Sequence, residues 1–250
     1  MTEEAKAKTS FITPSETGKF ERMVFGLVNA PYEFSRLMQG VMQHLQRKVA
    51  MWYLDDILIP AKNFDDMINQ LQKVFEALRA ANLTLKLEKC YFGYEEVTYL
   101  GYKISTEGIK PGLDKTSAIL DMKQPVNQHE VRRYLGLTGF FRRFVPHYAE
   151  IARPLTELLK DSIPFKWKTE QEQAFNKLKH CITSSPALQL FNPSSYTELH
   201  CDASQVGLSG MLLQRVESDK KMHLVHAVSK KTTTAEKNYH AGKLELMAIV

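Results

Sequence analysis

The 250-residue sequence predicts an α+β fold, sheets covered by helices on one face. Three patterns carry that prediction. Apolar strand formers, Met51-Trp52-Tyr53-Leu54 and Ile57-Leu58-Ile59, flank the acidic pair Asp55-Asp56, which reads as a β-hairpin with the acids at its tip. A capped amphipathic helix over 63–82 runs into residues of β-type alternation. Near the C-terminal end, the stretches 199–203, 207–214 and 222–228 read as a three-strand meander.

The elements follow in order. Residues 1–30 are mixed, with turn chemistry at Thr13-Pro14-Ser15 and Thr17-Gly18. Pro31 opens a helix in which Phe34, Leu37, Met38, Val41, Met42 and Leu45 recur three or four apart. After the hairpin, Asn63 caps the next helix, with Asp66 at the third helical position. Phe64, Met67, Ile68, Leu71, Phe75 and Leu78 form its expected buried stripe, and Asn82 its left-handed stop. Leu83, Leu85 and Leu87 alternate as a half-buried strand, and Val97–Ile104 continues in β register.

Residues 113–160 read as a small helical unit. Asp114 and Asn127 are cap candidates, the latter with Glu130 three residues on. Val131, Tyr134, Leu135, Thr138 and Phe141 mark a helix, Pro146 interrupts it, and Ile151, Leu155, Leu158 and Leu159 resume. Arg132, Arg133, Arg142 and Arg143 lie in this unit as a basic cluster, which taken alone reads first as a solvated helix surface. A capped helix from Thr169 to Cys181 precedes the meander, and a last helix begins near Thr233 or later.

Composition excludes several classes. Three widely spaced cysteines form no C-x-x-C and no disulfide framework, which implies a reduced, intracellular setting in cytoplasm or nucleus. The acidic N-terminus lacks signal-peptide character, and no apolar run approaches the roughly 20 residues that span a bilayer. A net charge of +5 suits a polyanionic partner without requiring one.

The acidic pair carries the first functional expectation. Two buried neighbouring anions are costly unless a cation neutralises them, and carboxylate oxygens suit Mg²⁺. A divalent metal site for phosphoryl transfer is one reading. A turn that uses Asp for its backbone geometry is the other.

Taken together, the ordered strings Phe25-Gly26-Leu27-Val28-Asn29-Ala30-Pro31, Tyr53-Leu54-Asp55-Asp56, Leu100-Gly101-Tyr102, Tyr134-Leu135-Gly136-Leu137, Phe141-Arg142-Arg143-Phe144 and Cys201-Asp202-Ala203-Ser204 resemble the reverse transcriptase–RNase H region of the Pol polyprotein of gypsy-type long-terminal-repeat retrotransposons. The resemblance spans essentially the whole chain. It implies a partial polymerase palm over 1–110, thumb or connection helices over 111–165, and a partial RNase H-like α/β domain over 166–250. In the family, Asp55 and Asp56 would hold the catalytic metals, Mg²⁺ or Mn²⁺. Phe25 and Gly26 would pack on the incoming deoxynucleotide, and Lys89 would lie near its phosphates. Leu100, Gly101 and Tyr102 would grip the primer end, and the four arginines would contact nucleic-acid backbone. Asp202 and Glu245 match metal ligands of the nuclease. Implied partners are an RNA template, a DNA primer and an RNA–DNA hybrid, with no membrane.

The sequence also departs from that pattern. The family has a further metal-binding Asp on a palm strand before the F-G-L-x-N-A-P string, whereas Asp55 is the first aspartate here. His240-Ala241-Gly242 replaces a hydroxyl-rich helix cap. The expectation is therefore of a segment lacking parts of both active sites at its two ends, inactive alone. The alternative is a non-catalytic nucleic-acid-binding relic.

Overall fold

Two hydrophobic cores organise the chain, one in each of two compact units, Met1–Tyr94 and Glu95–Val250. The structure is a computed structural model that describes residues 1–46, 48–184 and 187–250.

The first unit opens with helix α1 (Glu3–Ala7), whose N-terminus Thr2 caps. Strands β1 (Phe11–Ile12) and β2 (Thr17–Gly18) pair antiparallel around the Thr13–Glu16 turn. Helix α2 (Ala30–Met42) has Pro31 in its first turn, where its missing N–H costs nothing. It buries Met38 and Met42, while Leu37 of the expected stripe is exposed. Strands β3 (Met51–Tyr53) and β4 (Asp56–Leu58) form the anticipated hairpin. Helix α3 (Phe64–Ala80) starts as its cap requires: Asp66 N–H donates to Asn63 Oδ1 at 2.9 Å, and Asp66 Oδ2 accepts from Lys62 N–H at 3.0 Å. Its buried positions are Val74 and Leu78, and Phe64 at 70% and Ile68 at 48% exposure lie outside the core. Asn82 takes the left-handed conformation at φ +54° and ends the helix.

The alternating leucines after Asn82 do not form a strand. Leu83 packs on the core, but Leu85 and Leu87 are exposed, and 87–89 is a 3₁₀ turn. Alternation becomes a strand only where a ladder partner satisfies its backbone, and none pairs with this segment among the described residues.

In the second unit, β5 (Glu96–Tyr99), β6 (Tyr102–Ser105) and β7 (Gly108–Pro111) form an antiparallel meander. The run 97–104 is thus a hairpin rather than one strand, because Leu100 (φ +51°) and Gly101 (φ +80°) reverse the chain. Two successive positive φ angles are those of a type I′ turn. Helix α4 (Leu113–Leu120) is entered from Gly112, so Asp114 sits in the first turn rather than at the cap. Helix α5 (Gln128–Phe140) is capped by Asn127 as expected, with Glu130 N–H bonded to Asn127 Oδ1 at 2.9 Å. It ends before Pro146, in a 3₁₀ turn at 142–144. Helices α6 (Tyr148–Ile151), α7 (Arg153–Glu157) and α8 (Thr169–Thr183) complete the helical layer. Lys168, not Thr169, holds the N-cap of α8, and its N–H is satisfied by Gln171 Oε1.

Strands β8 (Thr197–Ala203), β9 (Gly207–Arg215) and β10 (Met222–Lys231) form the second meander, in the order β10-β9-β8. Helix α9 (Ala241–Ile249) packs on β8 and β9. The core of this unit joins α4–α8, with Tyr134, Phe141, Leu155 and Leu178 fully buried. Burying each such side chain contributes about 1.5–3 kcal/mol. Leu188 stitches the two meanders: it exchanges backbone bonds with Ile109 at 2.8 and 2.9 Å, and Gln189 N–H reaches Leu224 O at 2.8 Å.

Candidate functional site

The β3–β4 hairpin presents Asp55 and Asp56 on a seat anchored from below. Trp52 and Ile57 face each other across the ladder and pack on the core of the first unit, with Ile59 beside them. Tyr53 pairs with Asp56, and period-two alternation puts that pair on the opposite side. Leu54 and Asp55 are the two loop residues, and Leu54 stands at φ +54°. A side-chain-bearing residue pays roughly 1–2 kcal/mol for that conformation. Both acids are exposed. The expectation of two buried anions in need of a cation is therefore corrected: a hairpin tip solvates its carboxylates, so adjacency alone demands no metal.

As donors, Asp55 and Asp56 suit Mg²⁺ in kind, being hard carboxylate oxygens. They fall short in number. Among the described residues no three His, Cys, Asp or Glu side chains gather as a metal-binding group. In the same unit, Phe25 lies fully exposed in a loop beside Gly26, whose φ of +89° no Cβ would tolerate cheaply. Lys89 is exposed on the 3₁₀ turn.

The Leu100–Gly101 turn of the second unit is held by packing. Gly112 N–H donates to Gly101 O at 3.0 Å. Tyr102 stacks on Phe140 with ring centroids 4.9 Å apart at 11°, and its hydroxyl donates to Phe140 O at 3.2 Å. Lys115 Nζ lies 3.5 Å above the Phe140 ring, and the Arg143 guanidinium lies 5.1 Å from the Tyr102 ring. Burial raises the Tyr102 hydroxyl pKa, against the pull of the Arg143 charge. Neither Lys115 nor Phe140 carries a local signal in the sequence. No local spacing links them to Tyr102, since they meet only through the fold.

Asp202 is the penultimate residue of β8, and the register aligns it with Ser209 on β9 and Ser229 on β10. The segment 142–149 grips this row. His147 Nδ1 lies 3.0 Å from Ser209 Oγ and 3.7 Å from Asp202 Oδ2, Ala149 N–H donates to Ser229 Oγ at 3.0 Å, and Arg142 Nη2 donates to Ser229 O. His147 itself is left-handed, at φ +56°. Glu245 is exposed on α9, which packs against β8. Of the four arginines, Arg132 and Arg133 are exposed on α5, Arg143 rests on Tyr102, and Arg142 is partly committed to the sheet.

An α+β chain with an acid-tipped hairpin, a glycine turn braced by helices and a following three-strand meander has the build of a reverse transcriptase joined to a nuclease-like domain. Residues 1–104 match the family model for reverse transcriptase (RNA-dependent DNA polymerase), and residues 167–250 match that for the RNase H-like domain found in reverse transcriptase. The chain is 39% identical, over its whole length, to the retrovirus-related Pol polyprotein from transposon 297 of Drosophila melanogaster. It is 32% identical over 97% of its length to the transposon Tf2-3 polyprotein of Schizosaccharomyces pombe. It spans 23% and 18% of those two relatives. The foamy viral protease–reverse transcriptase in complex with RNA/DNA hybrid shares the fold at TM-score 0.81 and 22% identity, covering all of this chain and 33% of that one. The same viral protein in complex with dsDNA gives 0.82 at 22% identity, covering all of this chain and 52% of that one. The chain therefore carries a reverse transcriptase region over 1–104 and an RNase H-like region over 167–250, and it is similar over nearly its whole length to retrotransposon Pol polyproteins.

Proposed function

We propose that this chain is the part of an intracellular RNA-directed DNA polymerase that holds a primer–template duplex and presents Asp55 and Asp56 to the primer end. The observation that carries the proposal is the hairpin: two adjacent carboxylates on a core-anchored turn whose first loop residue, Leu54, is held left-handed. Strain of this kind persists only where surrounding structure over-determines it, which suits a site needing fixed geometry. Bound there, Mg²⁺ or Mn²⁺ would supply charge neutralisation for nucleotidyl transfer. The chain's own contributions are binding and orientation. Phe25 and Gly26 would border the nucleotide, with Lys89 near its phosphates. The Leu100-Gly101-Tyr102 turn would steady the primer, and Arg132, Arg133, Arg142 and Arg143 would meet backbone phosphates of an RNA–DNA hybrid or DNA duplex. Asp202 and Glu245, on packed elements of the second unit, would be the matching nuclease acids. The palm, thumb and nuclease roles fall respectively to 1–110, 111–165 and 166–250.

We further infer that the 250-residue polypeptide does not turn over by itself. Two-metal transfer draws on several carboxylates at once, and the described residues gather no three candidate ligands. The same observation favours a second reading, a nucleic-acid-binding protein without chemistry. Primer extension on an RNA template with Mg²⁺ or Mn²⁺, run beside an Asp55→Asn, Asp56→Asn variant, tests both. The expected outcome is hybrid binding by both proteins and extension by neither. Extension that the double variant abolishes would overturn the inactivity and the second reading together. Cleavage of the hybrid is likewise expected to be at most a trace, and robust cutting lost in Asp202→Asn would contradict it.

A further inference from the structure

Lys115, Phe140, Tyr102 and Arg143 form a four-membered stack: cation, ring, ring, cation. The two outer charges lack an anionic counterpart, since neither side chain meets a carboxylate among the described residues, although many of the chain's other lysines do. One of them lies directly on the Leu100–Gly101 turn: a Cβ built on Gly101 would stand 2.8 Å from Lys115 Nζ. The turn is locked from beneath by the Gly112–Gly101 hydrogen bond and by Tyr102, whose hydroxyl is tied to Phe140 O. Lys115 and Arg143 are partly buried rather than free in solvent, so the rings restrict where their charges can go. A cation held on an aromatic face keeps its hydrogen-bond donors available for an anion approaching from the other side.

From this juxtaposition we propose that Lys115 is a phosphate-binding residue, seated by Phe140 and Tyr102 so that its ammonium and the Arg143 guanidinium engage a phosphodiester backbone passing the Leu100–Gly101 turn. The inference rests on the duplex-holding function proposed above and adds to it a residue and a device. Phe140 is a positioning residue: it touches no ligand and acts by holding Lys115.

The test is equilibrium binding of the 250-residue chain to a fluorescent RNA–DNA hybrid over a series of salt concentrations. Each phosphate contact contributes close to one unit to the slope of log K against log salt. Lys115→Gln is expected to lower the slope by about one unit, Lys115→Arg to retain it, and Phe140→Leu to lower it with both charges still present. Lys177→Gln, an exposed lysine on α8, is the control and keeps the parent slope. Thermal melts establish that each variant is folded, and Lys115→Arg, which keeps charge and ring contact, guards against loss through misfolding. An unchanged slope in Lys115→Gln overturns this inference alone, and so does a drop of equal size in Lys177→Gln. Absence of hybrid binding by the parent chain overturns the duplex-holding function itself and this inference with it.

Discussion

Glycines of this chain divide sharply by what surrounds them. Gly108 has φ +124°, and a Cβ there would lie 2.2 Å from Leu188 O, the backbone atom that joins the two meanders. Gly108→Ala must both strain its own backbone and push that junction apart, a cost of order 3 kcal/mol. Gly40, by contrast, is helical with nothing within 4 Å of a built Cβ. Gly40→Ala is expected to stabilise by about 0.5–1 kcal/mol, because alanine has less freedom to lose and favours helix. Denaturant melts of the two variants should move in opposite directions. Leu54 and Leu100 repeat the theme in another form. Each follows a tyrosine, each opens a two-residue hairpin loop, and each bears a side chain at a φ that glycine or asparagine would adopt more readily.

The helical layer and the second meander are joined by charge as well as packing. Glu157, closing α7, takes hydrogen bonds from Lys160 and from Lys231 at the end of β10, and Lys160 followed by Lys231 holds its carboxyl down at about 2 against a usual value of 4.5. A depressed carboxylate adds stability that is complete above its unfolded pKa and is lost as pH falls through the folded one. The contribution is therefore whole above roughly pH 4.5 and disappears on acidification towards about pH 2. Thermal melts of Glu157→Gln against the parent should differ by less than about 1 kcal/mol near neutrality, since the pair is partly exposed. That difference should vanish across the acid window. A gap that persisted at the lowest pH would mean that the side chain contributes through packing.

Each unit of the whole molecule contains its own core, which predicts some independence. Residues 95–250 hold Tyr134, Phe141, Leu155, Leu178 and Ile182 buried in one cluster and are expected to fold without the first unit. A single cooperative thermal transition in that fragment, with near-ultraviolet dichroism from its buried aromatics, would show it. A fragment with secondary structure but no cooperative transition would disprove it. The first unit has a smaller core and many exposed apolar side chains, Phe25, Val28 and Tyr32 among them, so less stability is expected of it in isolation.

Local chemistry was readable from the order of residues alone. The α+β class, the acid-tipped hairpin, the caps at Asn63 and Asn127 and the stop at Asn82 were legible because hydrophobic period, side-chain-to-backbone hydrogen bonds and left-handed propensity act over a few residues. The ordered strings also carried the family, which the matches over 1–104 and 167–250 bear out. Whatever depended on packing between elements became visible in the folded chain. The Leu85 and Leu87 strand failed for want of a partner, and Phe64 and Ile68 proved exposed, because helical period shows that a face is apolar and not what covers it. The exposure of Asp55 and Asp56, the grip of His147 on the Asp202–Ser209 row and the Lys115–Phe140–Tyr102–Arg143 stack all join residues far apart or depend on what surrounds them. Such contacts leave no periodic trace in the chain, since they form only when separate elements are packed together.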